Sequence, residues 1–233
     1  MERLSTVSLE QLPIIEGVGV EGDQDIRQRV AATALHLAGV SMEFARVERV
    51  PRYADSRHES DVEHSFMLSM IASELAVALY PQLDPGLVHQ YGGVHDLIEL
   101  ITDDVATFSI SAEELAAKEK AEHDALAGLV ASLPPYTGRL LMAYEAQADK
   151  ESRFVRAVDK LMPVLVDILG DGITMLKVDY GVHDSDALLQ SHIALHARIR
   201  AKYGEFPEIV DAQALLFELF EEEAELAFAN LNA

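Results

Sequence analysis

Apolar residues recur every three or four positions along almost the whole chain, and runs of Val, Ile and Thr with period two are scarce. That pattern predicts an all-α protein, a single-domain helical bundle. Residues 1 to about 23 hold four Gly or Pro breakers and predict an extended lead-in, with the helical domain over 24–233. The series Ile26, Val30, Ala34, Leu37 and Val40 predicts a first helix from Asp23 or Asp25 to about Ala45. Val47 to Glu59 mixes charge and Pro51 without a period and reads as a loop. Ser60 or Asp61 then caps a helix that carries His64, Leu68, Ile71 and Leu75 on one face and ends before Pro81.

Asp84-Pro85 is an N-cap followed by Pro in the first turn, opening a helix through Leu87, Val88, Tyr91, Val94, His95 and Ile98. Gly92-Gly93 inside it costs about 2 kcal/mol of helix propensity, which predicts a surface kept bare for a close helix contact. Ser111 with Glu114 forms a capping box for a helix over about Ala112 to Ser132, stopped by Pro134-Pro135. Further helices are expected over about Thr137–Ala148, Lys150–Leu169, Ser185–Tyr203 and Pro207–Ala229, with Gly170–Val182 as a connecting loop. No internal repeat or shift in composition marks a second domain.

Charge narrows the choice of partner. The 233 residues include 18 Lys and Arg against 40 Asp and Glu, a net charge of −22, so a nucleic-acid polymer would meet repulsion instead of counterion-releasing attraction. A small phosphorylated substrate is compatible, because a metal ion or a few placed cations reverse the field locally. With no Cys, disulfides, thiolate metal sites and cysteine nucleophiles are excluded, and any metal must use His and carboxylates. The first residues lack a basic start followed by an apolar stretch, and the sequence shows no uninterrupted apolar run of about 18 to 20 residues. The expectation is a cytoplasmic protein with no membrane partner.

Titratable residues on apolar helical faces are the best pointers to chemistry. His64 lies on the Leu68/Ile71/Leu75 stripe. His95-Asp96 follows Tyr91 and Val94, with Glu99 one turn on. Asp159 lies between Val155 and Met162 on a late apolar helix, where a surface ion pair with Arg156 or Lys160 is the competing reading. Two imidazoles and two carboxylates from three helices would make a nitrogen and oxygen site for one divalent transition metal, Mn, Co, Fe, Ni or Zn. Glu99 would stand beside the ion without ligating it. His192 and His196 share a helix face but lack a completing carboxylate, and Glu221-Glu222-Glu223 reads as a solvated face. No Gly-rich phosphate loop, Ser-His-Asp elbow or HExxH is present.

The ordered set His64 in DVEHS, His95-Asp96 in VHDLIELITDD and Asp159 in RFVRAVDKLMPVL resembles the HD-domain metal-dependent phosphohydrolases, within them the group of the bacterial 5′-deoxynucleotidases. The resemblance covers about Ala31 to Tyr203. It implies that His64, His95, Asp96 and Asp159 hold the catalytic metal and that Glu99 acts in catalysis. It also implies that Asp104 and Thr107 contact substrate, with a catalytic part for Asp104, and that Arg49 orients the phosphate. A homodimer is implied as well. Two departures stand out. Val50 occupies the place of a Trp beside the sugar, and a Lys found soon after the substrate Asp is absent from DVATFSIS. The expected activity is hydrolysis of a nucleoside, or deoxynucleoside, 5′-monophosphate to nucleoside and phosphate. Hydrolysis of a nucleoside triphosphate or another phosphorylated metabolite on the same metal site is the alternative, and a non-catalytic helical binding module is a third reading.

Overall fold

The structure, a computed structural model, describes residues 23–104, 108 and 111–229. Its elements in chain order are α1 (Asp23–Phe44), β1 (Glu48–Arg52), β2 (His58–Ser60), α2 (Asp61–Leu79), α3 (Pro85–Val94), α4 (Glu99–Thr102), α5 (Ala112–Ser132), α6 (Pro135–Ala146), α7 (Lys150–Asp159), α8 (Met162–Leu169), α9 (Gly172–Val178), α10 (Ser185–Tyr203) and α11 (Pro207–Ala229). The all-α expectation holds. The expected lead-in and Thr107 lie outside the described residues.

Local capping sets the helix that carries the first candidate ligand. Ser60 Oγ accepts from the Glu63 N–H while the Glu63 carboxylate accepts from the Ser60 N–H, so two of the orphan donors at the start of α2 are satisfied reciprocally. Asp84 Oδ1 caps α3 by accepting from Gly86 and Leu87, and the Ser111/Glu114 box starts α5 at the expected residue. By length and composition alone α2 is apolar enough to cross a membrane. In the fold it is the central helix, with Leu68, Ala72 and Ala76 wholly buried in the core it shares with α3, α7 and α11. Complete burial of a side chain such as Leu68 contributes about 2–3 kcal/mol.

The expected close approach at the paired glycines is real, and it belongs to one of them. A Cβ on Gly92 would lie 2.6 Å from Ser69 Oγ and 2.8 Å from Ser69 Cα on α2, whereas one on Gly93 would come no nearer than 4.0 Å to Ser69 Oγ. Two further cores flank the central one. Val40, Phe44, Leu97, Leu129 and Leu141 tie α1 to the turn before α4, to α5 and to α6, and Val164, Leu176, Leu188, Phe217 and Phe220 tie α8 and α9 to α10 and α11.

Four expectations about elements are corrected. Val47 to Glu59 contains an antiparallel hairpin, β1 pairing Glu48 with Ser60 and Arg52 with His58. Its strands lack alternation because they are stabilised by packing on helices, β1 on α8 and α9 and β2 on α2, and not by a sheet face of their own. The helix opened by Asp84 ends at Val94, not beyond Ile98, and the chain tightens through His95–Ile98 with i→i−3 bonds from Leu97 to Val94 and from Glu99 to Asp96. The single helix expected over Lys150–Leu169 is two, because Pro163 has no N–H to give and its ring would collide with the Asp159 carbonyl four residues back. Gly170–Val182 holds α9, which starts where Asp171 caps Thr174 and which buries Met175 and Leu176.

Candidate metal centre

The folding details above bring four distant side chains together. His64 sits in the second turn of α2, His95 and Asp96 sit on the tightened turn after α3, and Asp159 is the last residue of α7 before the break imposed by Pro163. One ligand atom from each lies within 4.8 Å of all the others. His64 Nε2 is 3.0 Å from Asp159 Oδ1 and 3.8 Å from Asp96 Oδ2. His95 Nε2 is 2.8 Å from Asp96 Oδ2 and 3.8 Å from Asp159 Oδ1. Metal–ligand bonds of 2.0–2.2 Å put neighbouring donor atoms about 2.8–3.6 Å apart, depending on geometry, so the edges at 2.8 and 3.0 Å fall within the coordination shell of one first-row ion and the two at 3.8 Å lie just outside it.

Hydrogen bonding supports the same fit. His95 Nδ1 donates to the Gly92 carbonyl at 2.9 Å, which fixes the tautomer and turns Nε2 toward the cluster. Nε2 is buried and makes no aligned hydrogen bond, despite its closeness to Asp96. The other nitrogen of His64 faces the fully buried Glu59 carboxylate at 3.5 Å, an outer carboxylate of the kind that orients metal-bound imidazoles. The ion pair that the sequence offered for Asp159 forms, but in the interior and not on the surface: Oδ2 of the buried Asp159 pairs with Lys160 Nζ at 2.5 Å while Oδ1 turns to His64.

A second carboxylate group, Asp61, Asp96 and Glu99, lies alongside. Arg49, entering from β1, places Nη1 3.0 Å from Asp61, 2.8 Å from Asp96 and 3.5 Å from Glu99. A fixed guanidinium therefore takes the position a second ion would need. Lys118 reaches in from α5 to Glu99 at 2.9 Å. Asp103 adopts φ 57°, ψ 158°, a backbone state costly for a residue with a side chain. The reversal it makes returns Asp104 to 3.9 Å from both Arg49 and Lys118.

The electrostatics follow from this crowding. Burial and the neighbouring Asp96 and Asp104 charges push the Glu99 carboxyl up to about 10, against the pull of Lys118 and Arg49. Burial raises Asp61 to about 6, opposed by Arg49. Burial and the Arg49 charge favour neutral His64, but Asp159 and Glu59 outweigh them and lift it to about 9. Burial works against ionised Asp96 as well, yet His95 and Arg49 hold it well below the usual carboxylate range.

The cluster opens on a cavity of about 320 Å³ that also reaches Val50, Phe108, Asp167, Tyr180, His192 and Phe217. Sequence reasoning found the four cluster residues with Glu99, Asp104 and Arg49, all of which converge. It missed Lys118, hidden in what reads as a solvated charged helix, and Glu59, Asp61 and Asp167, for which a single sequence carries no signal. His192 and His196 make no metal pair: His192 contacts Glu221 at 2.6 Å and stacks on Phe217, while His196 contacts Gln213 at 3.2 Å.

A helical bundle that gathers His, His-Asp and Asp around one point defines a class, and the family comparison agrees. The HD domain family model matches residues 44–199, and the chain belongs to that family. Among solved structures, it is similar to one described as a predicted metal-dependent phosphohydrolase from Magnetospirillum magnetotacticum MS-1, with 25% identity and a TM-score of 0.63 over 82% of this chain and 92% of that one. No curated protein sequence matches it.

Proposed function

We propose that the protein is a metal-dependent phosphohydrolase that cleaves a phosphate monoester, with a nucleoside 5′-monophosphate as substrate. His64, His95, Asp96 and Asp159 hold the ion, whose identity among Mn, Co, Fe, Ni and Zn the donor set leaves open. The observation that carries the reading is the charge distribution around the cavity. Arg49, Lys118, Arg156, Lys160, Arg198 and Lys202 line it, six of the chain's 18 basic residues, beside only seven of its 40 acidic ones. A strongly acidic protein thus gathers its cations at one opening, where a divalent ion makes the local field positive and suited to phosphate.

Bound there, the ion would supply Lewis acidity toward the phosphate and lower the pKa of water toward neutrality. Glu99, beside the cluster but outside the four-donor set, orients the attacking water, and it would accept the water's proton once the positive charge of a bound ion had drawn its raised carboxyl pKa back down. Arg49 and Lys118 neutralise charge on the phosphoryl oxygens. Asp104 faces both cations and positions the sugar side of the substrate or the water. A substrate with further phosphates is a second reading, favoured by the cation pairs Arg156/Lys160 on α7 and Arg198/Lys202 on α10 that line the same cavity.

The test is phosphate release from ribo- and deoxynucleoside mono- and triphosphates, each with Mn, Co, Mg, Ni and Zn after chelator stripping. Orthophosphate from monophosphates supports the first reading, and release of triphosphate or pyrophosphate supports the second. Asp96→Ala should lose metal and turnover together, while Glu99→Ala should keep metal and lose turnover. Full phosphatase activity in both variants would refute the assignment.

A further inference from the structure

Away from the metal cluster the cavity changes character. Its far wall is apolar and aromatic: Val50 follows Arg49 on β1, Phe108 and Tyr180 contact each other at 4.9 Å, and the His192 ring lies flat on Phe217 at 4.0 Å with planes 7° apart. Within this wall stands Asp167 of α8, a carboxyl 9% exposed whose Oδ1 is buried with no hydrogen-bond partner. Gly172 allows α9 to close over it, since a Cβ there would lie 2.7 Å from the Asp167 Cβ. Leaving a buried carboxyl unmatched costs free energy, and neither the metal cluster nor the core explains its place.

We propose that this end of the cavity is a subsite for the flat heterocycle carried by the leaving nucleoside, in which Asp167 reads an exocyclic amino group beside a ring nitrogen, the edge that cytosine and adenine carry. This rests on the monoester reading above and names the part of the substrate that reading leaves unassigned. The aromatic walls match the faces of a planar ring, and the carboxyl supplies the placed polar group that an apolar pocket uses for orientation. Burial, with the Glu59 charge behind it, pushes the Asp167 carboxyl well up. As an acid it donates to the ring nitrogen and accepts from the amino group, and even when ionised it still accepts from the amino group. Uracil presents an N–H flanked by two carbonyls, which an ionised carboxyl avoids and an acid meets only through a weaker oxygen acceptor.

The subsite is tested without turnover. Cytidine and uridine, which carry no phosphate, are titrated calorimetrically into the full chain. The expected result is about tenfold tighter binding of cytidine, with the difference abolished in Asp167→Leu and also lost in Asp167→Asn, whose amide offers a donor and an acceptor that pair with the uracil edge as well as with the cytosine edge. Removing an unpaired buried carboxyl leaves the fold intact, so Asp167→Leu remains interpretable. Equal affinities in the unmodified protein, or a difference that survives Asp167→Leu, overturn the proposal. Phosphate release from nucleoside 5′-monophosphates in the metal-loaded protein reports separately on the hydrolase reading: no release with any of the metals sinks that reading, while equal nucleoside binding sinks only the subsite.

Discussion

Replacing each of the adjacent glycines of α3 by alanine should move stability in opposite directions. In an exposed helix position Ala is about 1 kcal/mol better than Gly, and both substitutions carry that gain. At Gly93, which is exposed and whose added Cβ stays 4.0 Å from the nearest atom, nothing opposes it. Gly93→Ala should therefore stabilise by about 0.5–1 kcal/mol, raising Tm by about 1–4 °C in a protein of this size. At Gly92 the same atom would meet the Ser69 backbone at 2.8 and 3.0 Å, so α2 and α3 must separate by several tenths of an ångström. Overpacking of this kind costs about 1–3 kcal/mol, a net loss of up to about 2 kcal/mol once the propensity gain is subtracted.

The site should respond as well. Gly92 O holds the His95 ring, and the α2–α3 spacing sets His64 against His95, whose ring centroids are 5.1 Å apart. Urea denaturation of both variants, with metal titrations of each, checks the argument. If Gly92→Ala proved as stable and as good at binding metal as Gly93→Ala, the claim that this helix contact sets the spacing of the two imidazoles would be wrong.

Three more outcomes are expected. Ser60→Ala removes half of the capping box beneath His64 and should cost about 1 kcal/mol in chemical denaturation. Asp103→Gly relieves a positive φ and should raise stability by up to about 1 kcal/mol while leaving the metal stoichiometry unchanged, read by thermal melting. The hydrogen bond from Arg57 lowers Glu63 from 4.5 to about 2, so its contribution is complete above about pH 4.5 and is lost as pH falls toward 2. Glu63→Gln should accordingly flatten the stability profile across that window, in denaturation curves taken at stepped pH.

The sequence made legible whatever is decided locally or by a single face. Ser60/Glu63, Asp84-Pro85 and Ser111/Glu114 marked helix starts because caps act over three or four residues, and the buried imidazoles and carboxylates stood out against apolar stripes. Features decided by tertiary contact were hidden. The β1–β2 hairpin has no periodic face of its own, and the short α9 looks like a loop until Met175 and Leu176 find their core. The break after Asp159 was readable in Pro163, but the apolar pattern on both sides obscured it. Lys118 lies 19 residues beyond Glu99 on a charged helix, and only the packing of α5 on α4 turns it inward.

Metal stoichiometry tests the central claim most directly. Chelator-stripped protein titrated with Mn or Zn under calorimetry, with the bound metal then measured by elemental analysis, should take up one ion per chain. Asp159→Ala, His64→Ala and Asp96→Ala should each lose that ion, and Glu99→Ala should keep it. Uptake that survives Asp159→Ala and His64→Ala unchanged, or no uptake at all, would contradict a single centre built by these four side chains.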